Sequence, residues 1–340
     1  MADDRADFFY SLTPERVLDA VELDGRRCTG RFIVLNSYEN RVYQLELSDE
    51  SYVVAKFYRP GRWSDDAILD EHDFLLDLQD AEVPVAAPME LPGGSTLSDI
   101  GGIRFSLFPR IGGRAPEEMN DEQLRQLGRL LARLHGVGGK EEAEHRPEMT
   151  PQTYIGNNLQ WVLDHDMIPS GPREPYADIA RRIQDRITPL FEGVEFQRIH
   201  GDCHLGNLLW TPSGLVFLDF DDMVMGPPAQ DLWLMVGGRD AWAQRRLQLL
   251  LEGYESMMPF ARGTLKLFEP LRAMRMVHWA AWIARRWQDP AFPMAFPTFG
   301  TRGWWETEVS ELHRQLARID EVIAQYAAPT GFSNAWNTGF

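Results

Sequence analysis

The residues whose types and spacing carry the most chemistry lie in the stretch 200–222, HGDCHLGNLLWTPSGLVFLDFDD. Asp202 precedes Asn207 by five positions, and Asp219 follows two short apolar runs, 207–210 and 215–218. Between the runs, Thr211-Pro212-Ser213-Gly214 is turn chemistry, with Pro presetting φ and Gly relaxing the exit. The stretch therefore reads as a β-hairpin. A turn centred on Ser213 pairs Leu208 with Leu218 and Trp210 with Val216, which sets Asn207 across from Asp219 with side chains roughly 5 Å apart. An amide oxygen and a carboxylate suit Mg²⁺, which takes few protein ligands and completes its octahedron with water and phosphate oxygens. Asp202, in the loop feeding the hairpin, is placed to take the proton of an attacking hydroxyl. The chemistry implied is phosphoryl transfer from a metal-bound nucleotide to an alcohol, with Asp202 and Asp219 as catalytic carboxylates and Asn207 and Asp219 as metal ligands.

Such a site needs elements upstream to hold the phosphate donor. Residues 31–47 and 51–58 are rich in Val, Ile, Leu, Tyr and Phe, and Ser48-Asp49-Glu50 between them is a turn signal, so the chain opens with an antiparallel sheet. Asn36-Ser37-Tyr38-Glu39-Asn40 interrupts it without a GxGxxG pattern; its amides and the Ser37 hydroxyl can cradle phosphate oxygens, although an ordinary turn has the same composition. Lys56 is charged within an apolar strand, and a buried ammonium is costly without an anion. Ser64 N-caps a helix with Asp65 and Asp66 in its first turn, and Glu71 falls within the apolar stripe Ile68, Leu75 and Leu78. Glu71 is therefore paired with Lys56, as a carboxylate that orients a phosphate-binding Lys.

The remainder reads as the larger part of a two-lobed α+β fold, a small N-terminal antiparallel sheet plus helix followed by a mainly helical C-terminal lobe. The expected division is a nucleotide-binding lobe at 1–108, a Pro/Gly-rich hinge at 109–114, and a helical lobe at 115–340 carrying the catalytic loop and the substrate side. Backbone at 108–110 can hydrogen-bond adenine, but a plain connector would look identical. Asn120 and Gln123 resemble a capping box before Leu124, Leu127, Leu131 and Leu134. Residues 138–175 read as loop, passing into a helical insertion through Phe191 that can line an acceptor site. Asp231, following Gly226-Pro227-Pro228, is read as the N-cap of a helix; a resemblance to the kinase-like fold would imply a brace on the catalytic loop as well. Residues 271–287, in which Arg272 and Arg275 alternate with Met274, Trp279, Trp282 and Ile283, read as a core helix of the large lobe; the sharper alternative is an aromatic wall for a cation.

Composition sets outer bounds. At 340 residues two domains are expected, and no apolar run approaches the ~18 residues of a membrane span. A net charge of −17 argues against nucleic acid or an anionic membrane as partner. The acidic start, MADDRADFFY, lacks a secretory pattern, and Cys28 and Cys203 show no paired metal spacing, so two free thiols in the cytoplasm are expected. Cys203, next to the proposed base, is a candidate for oxidation. A monomer is expected.

Asp202 and Asn207 match the HRDxxxxN spacing of protein kinases with Gly201 in place of Arg, and Asp219-Phe220-Asp221 stands where DFG would be. That variant resembles the aminoglycoside and choline phosphotransferase branch of the kinase-like fold. Longer strings, LNSYENRVYQ from Leu35, VAKFYRP from Val54, AEVPVAAP from Ala81, HGDCHLGN from His200, EPLRAMR from Glu269 and DPAFP from Asp289, are similar to the bacterial stress response kinases of that group. The resemblance implies a serine/threonine protein kinase opposing stress-induced cell death, with ATP as donor, Mg²⁺ as cofactor, Asp202 as proton acceptor, Asn207 and Asp219 on the metal, and Ser37, Lys56 and Glu71 on the nucleotide side. One feature points elsewhere. The eleven residues between Asp219 and Asp231 include no Ser, Thr or Tyr, so no phosphorylatable activation loop exists there. So short a segment leaves little platform for a peptide, which favours a small hydroxylated acceptor of choline or aminoglycoside type.

Overall fold

A computed structural model describes residues 11–23, 25–35, 37 and 39–327. The tail after Ala327 lies outside the described residues, as do Asn36 and Tyr38 of the phosphate-loop candidate. The chain forms two compact units that are discontinuous in sequence. The first gathers Met1–Met119, Gly136–Arg146 and His204–Met223; the second gathers Asn120–His135, Pro147–Cys203 and Val224–Phe340.

In the first unit, β1 (Cys28–Leu35), β2 (Arg41–Leu47), β3 (Tyr52–Phe57), β4 (Ser98–Ile100) and β5 (Ile103–Pro109) form one sheet in the order β1-β2-β3-β5-β4. Every neighbouring pair is antiparallel. Alternation decides the faces. Val53, Ala55 and Phe57 of β3 and Ile103, Phe105 and Leu107 of β5 bury one face under Val17 and Val21 of α1 (Pro14–Glu22). Lys56, between Ala55 and Phe57, must then point to the other face. α2 (Asp65–Asp80) begins where expected, with the Ser64 side chain accepting from the Ala67 N–H at 3.1 Å, and buries Ile68, Glu71, Leu75 and Leu78.

The hairpin is present as β6 (Leu208–Thr211) and β7 (Gly214–Phe217), but its register differs by one residue from expectation. Leu208 pairs with Phe217, Trp210 with Leu215 and Thr211 with Gly214, leaving a two-residue Pro212-Ser213 turn. The cause is local. The Thr211 hydroxyl accepts from the Ser213 N–H at 3.1 Å and donates to the Gly214 carbonyl at 2.9 Å, closing a tighter turn than one centred on Ser213. Leu218, not Asp219, therefore meets Asn207, donating its N–H to the Asn207 carbonyl at 2.9 Å. Asp219 follows with φ 58°, a left-handed conformation that turns the chain out of the ladder.

The second unit is mainly helical. Asn120 and Gln123 exchange reciprocal side-chain-to-backbone hydrogen bonds at 3.0 and 2.9 Å and start α3 (Asp121–Gly138) as a capping box, with Leu124, Leu127, Leu131 and Leu134 buried. The stretch read as loop is more helical than expected. A π-turn at Gln152–Gly156 runs into α4 (Asn157–Asp164), and α5 (Ser170–Ile187) begins before the expected boundary. Pro172 sits in the first turn of α5, where a missing N–H removes no intrahelical bond, and the helix also accommodates Pro175 inside it. Further along are α6 (Ala229–Val236), α7 (Ala241–Glu255), α8 (Phe268–Arg285) and α9 (Arg302–Ala327), with Trp305 of α9 fully buried edge-on against Tyr176 of α5. No helix among the described residues is long and apolar enough to cross a membrane.

α3 and α7 approach backbone to backbone. A Cβ on Gly253 would lie 2.0 Å from the Arg125 carbonyl oxygen, and one on Gly128 would lie 2.1 Å from that of Leu250. Neither neighbour is a flexible side-chain tip, so the helices would have to separate. Gly253→Ala is expected to destabilise the protein by about 1–3 kcal/mol despite the better helix propensity of Ala, as read from the urea midpoint.

Candidate active site

The first unit builds a buried charge network around β3 and α2. Lys56 Nζ lies 3.0 Å from Glu71 Oε1, the pairing expected from sequence, and also 3.0 Å from Asp221 Oδ1. Glu71 turns its other oxygen to Arg146, at 2.9 Å. Arg146 also donates to the carbonyls of Ala67, at 2.6 Å, and Asp221, at 2.8 Å, and lies over the Trp63 ring at 4.4 Å. Arg62 pairs with Asp221 and Asp222. Burial pulls the Lys56 ammonium toward neutrality, and Glu71, with Tyr58 and Asp219, overrides that pull and leaves its pKa raised. Burial likewise opposes ionisation of Glu71, but Lys56 and Arg146 hold its carboxyl down at about 2. Both charges therefore persist at neutral pH.

These groups open onto a cavity of about 430 Å³ within the first unit, large enough to bury much of a small ligand. Ser37, Lys56, Glu71 and Asp219 line it together, with Val42, Val54, Leu75 and Ala86 as its apolar wall and residues 108–111 at the exit of β5. The Ser37 hydroxyl accepts the Asn40 N–H at 3.1 Å, and the Asn40 side chain accepts the Arg59 N–H at 3.1 Å, so the loop before β2 is tied down. Asn207 stands at the start of β6 and is outside the residues lining the cavity. Among the described residues no three His, Cys, Asp or Glu side chains form a metal cage. Asn207 and Asp219 supply an amide oxygen and a carboxylate, the donor types a hard divalent ion takes when phosphates provide its other oxygens.

The second unit holds Asp202. The loop before it is braced by Asp231, whose two oxygens accept the N–H groups of His200 and Gly201, each at 2.9 Å. His135 Nε2 lies 3.1 Å from the same carboxylate. Asp231 thus sits inside the first turn of α6, fully buried, and is not the N-cap expected from the Pro-rich approach. Gly201 has φ 82°, a conformation that explains Gly where Arg would be strained. Asp202 itself is partly exposed and pairs through Oδ1 with Arg275 Nη1 at 2.8 Å. Cys203 is fully buried and burial pushes its thiol pKa well up, which removes the thiolate character oxidation requires.

The aromatic wall proposed for a cation is already occupied or packed. Arg272 lies over Trp233, Arg285 over Trp161 and Arg286 over Trp282, while Trp279 stacks on Trp282 at 4.7 Å. Sequence reasoning missed Arg62, Arg146, Asp221 and Arg275. A lone arginine in a loop or on a helix has no spacing signal; only the need of several buried carboxylates for cations pointed toward such partners.

A model of the family described as the phosphotransferase enzyme family matches residues 32–268. Stress response kinase A of Salmonella paratyphi A is 40% identical over 325 residues, covering 95% of this chain and 98% of that protein. Serine/threonine protein kinase RdoA of Salmonella typhimurium is 39% identical over 325 residues, with the same coverage. Among solved structures, amicoumacin kinase hAmiN in complex with AMP-PNP, Ca²⁺ and Ami matches with a TM-score of 0.71 at 17% identity, covering 93% of this chain and 95% of that one. The microcompartment-associated aminopropanol kinase matches at 0.67 and 20% identity, covering 91% and 98%. These likenesses show the kinase-like α+β fold.

Two substitutions probe the network. Arg146→Met leaves Glu71 short of a cation and is expected to cost about 3–5 kcal/mol in urea unfolding. His72, buried beside Tyr58 at 2.8 Å, has its pKa dropped by burial from 6.5 to about 4. The unfolded chain takes up a proton as the pH falls through 6.5 and the folded ring only near 4, so stability rises with pH across that window. His72→Gln should flatten that rise by up to one proton's worth, about 1.4 kcal/mol per pH unit, in unfolding measured from pH 4 to 6.5.

Proposed function

Since the chain belongs to the phosphotransferase enzyme family and is a phosphotransferase, we propose that it is an ATP-dependent serine/threonine protein kinase acting in a cytoplasmic bacterial stress response, where it opposes stress-induced cell death. The observation that carries the protein-kinase reading is the 39–40% identity, over 95% of the chain, to relatives named stress response kinase and serine/threonine protein kinase. The meeting of Lys56, Glu71, Asp219 and Ser37 in one cavity supports the donor side.

In this reading Lys56, held by Glu71, neutralises phosphate oxygens of ATP, and the tied loop at Ser37 covers them. Asn207 and Asp219 hold Mg²⁺, which when bound supplies charge neutralisation at the donor phosphates. Asp202 takes the proton of the acceptor hydroxyl as its oxygen attacks the γ-phosphorus and ADP leaves. The brace from Asp231 keeps the Asp202 loop in one conformation, so proton acceptance costs little reorganisation. The short segment from Asp219 to Asp231 favours a second reading, a kinase for a small alcohol.

Asp202→Asn is expected to lower kcat by about 10²–10⁴ while leaving ATP affinity nearly unchanged. Transfer of label from γ-labelled ATP and nucleotide titration measure the two. Retention of kcat within tenfold would remove Asp202 from the base role. Label appearing on small alcohols and on no protein would favour the second reading.

A further inference from the structure

A second cavity, of about 480 Å³, lies wholly within the second unit and is lined by Arg239, Arg272, Arg275 and Arg318 together with Trp233 and Trp279. Four guanidinium groups on one cavity are conspicuous in a chain of net charge −17. Three are held in place by contacts within the unit. Arg239 grips Glu269 with two hydrogen bonds, at 2.9 and 2.8 Å. Arg272 donates to the carbonyls of Gly237 and Gly238, at 3.1 and 3.0 Å, and Arg275 reaches Asp202. Arg318 has no carboxylate partner among the described residues. The one carboxylate on the cavity wall, Glu311, is already paired with Arg314.

The cations are therefore in excess. The pKa of Arg272 is lowered, first by burial, then against the pull of Glu269 by repulsion from Arg239 and Arg318. A cation is the wrong occupant, because the Trp233 face already carries Arg272 and the walls repel positive charge. Arg272 and Arg275 stand one helical turn apart on α8, about 5–6 Å, so an anion held by this cluster lies one or two extended residues from the guanidinium that touches Asp202.

We propose that this cavity is the acceptor-recognition subsite and that it selects a hydroxyl flanked by an anionic group: in a protein acceptor, a Ser or Thr with an acidic side chain within two positions. The inference rests on the protein-kinase reading for the peptide and on Asp202 as the base. An anion bound at Arg275 competes with Asp202 for that guanidinium and so loosens the Arg275–Asp202 pair.

The test compares peptides that differ only in the residues flanking one Ser, acidic, neutral or basic, using γ-labelled ATP and the full-length enzyme. The acidic peptide is expected to exceed the neutral one in kcat/KM by tenfold or more, the scale of one charge-assisted hydrogen bond. Arg318→Glu should abolish that preference, chiefly through KM. The wild-type comparison stands without the variant, and Arg318→Gln, which adds no charge, should reproduce the loss in part. Equal use of the three peptides, or preference for the basic one, overturns the inference and leaves the protein-kinase reading intact. Should no peptide be labelled, glycerol 3-phosphate and choline serve as small acceptors. Label on the former, reduced by Arg318→Glu, removes the protein acceptor and upholds the anion subsite; label on choline alone, or on neither, overturns the subsite.

Discussion

An ammonium buried in a β-sheet is the constraint on which the first unit depends. Lys56 is nearly inaccessible, and Glu71 and Asp221, each 3.0 Å from its Nζ, help make its charge tolerable there. Each of those carboxylates is in turn buried and needs a second cation, which Arg146 and Arg62 supply. The chain of obligations runs from β3 through α2 to the loop containing Arg146 and to the segment after β7. Segments far apart in sequence are thereby held to one geometry. Replacing the set with apolar residues could leave the unit as stable. The charged version holds a cation and the Asp219 carboxylate against the same cavity.

The second unit solves a similar problem with one carboxylate. Asp231 accepts two consecutive backbone N–H groups and faces His135, so the turn carrying Asp202 is fixed by a fully buried anchor instead of by its own sequence. The left-handed Gly201 lets both N–H groups point at that anchor. The same unit spends its aromatic faces on its own arginines, which turns a stretch rich in Trp from a cation trap into a rigid frame for positive charge.

Much of this was legible in the residues. The Ser64 cap, the capping box at Asn120, the strands on either side of Ser48-Asp49-Glu50 and the Lys56–Glu71 pair all follow from local patterns with a physical cause. Periodicity exposed Glu71 because a carboxylate inside an apolar stripe demands a partner. The hairpin was legible as a hairpin but not in register, since a two-residue and a three-residue turn share the same Thr-Pro-Ser-Gly composition. The N-cap was misplaced by three residues, at Asp231 instead of Pro228, because helix entry after Pro-Pro has no unique start. Pro172 and Pro175, both within α5, made its first residues read as loop.

By itself the sequence determined the types of the main elements, the pairing of one lysine with one glutamate, and the spacing of Asp202, Asn207 and Asp219. Those are short-range properties: side-chain alternation, helical stripes and turn residues act within a few positions. Only the tertiary structure decided that Arg146 and Asp221 complete the Lys56 network, that Cys203 is shut away, and that four arginines gather on one cavity. A guanidinium on a long flexible stem is compatible with many partners. The choice among them is made by which buried carboxylates and carbonyls lie within its reach once the chain is folded.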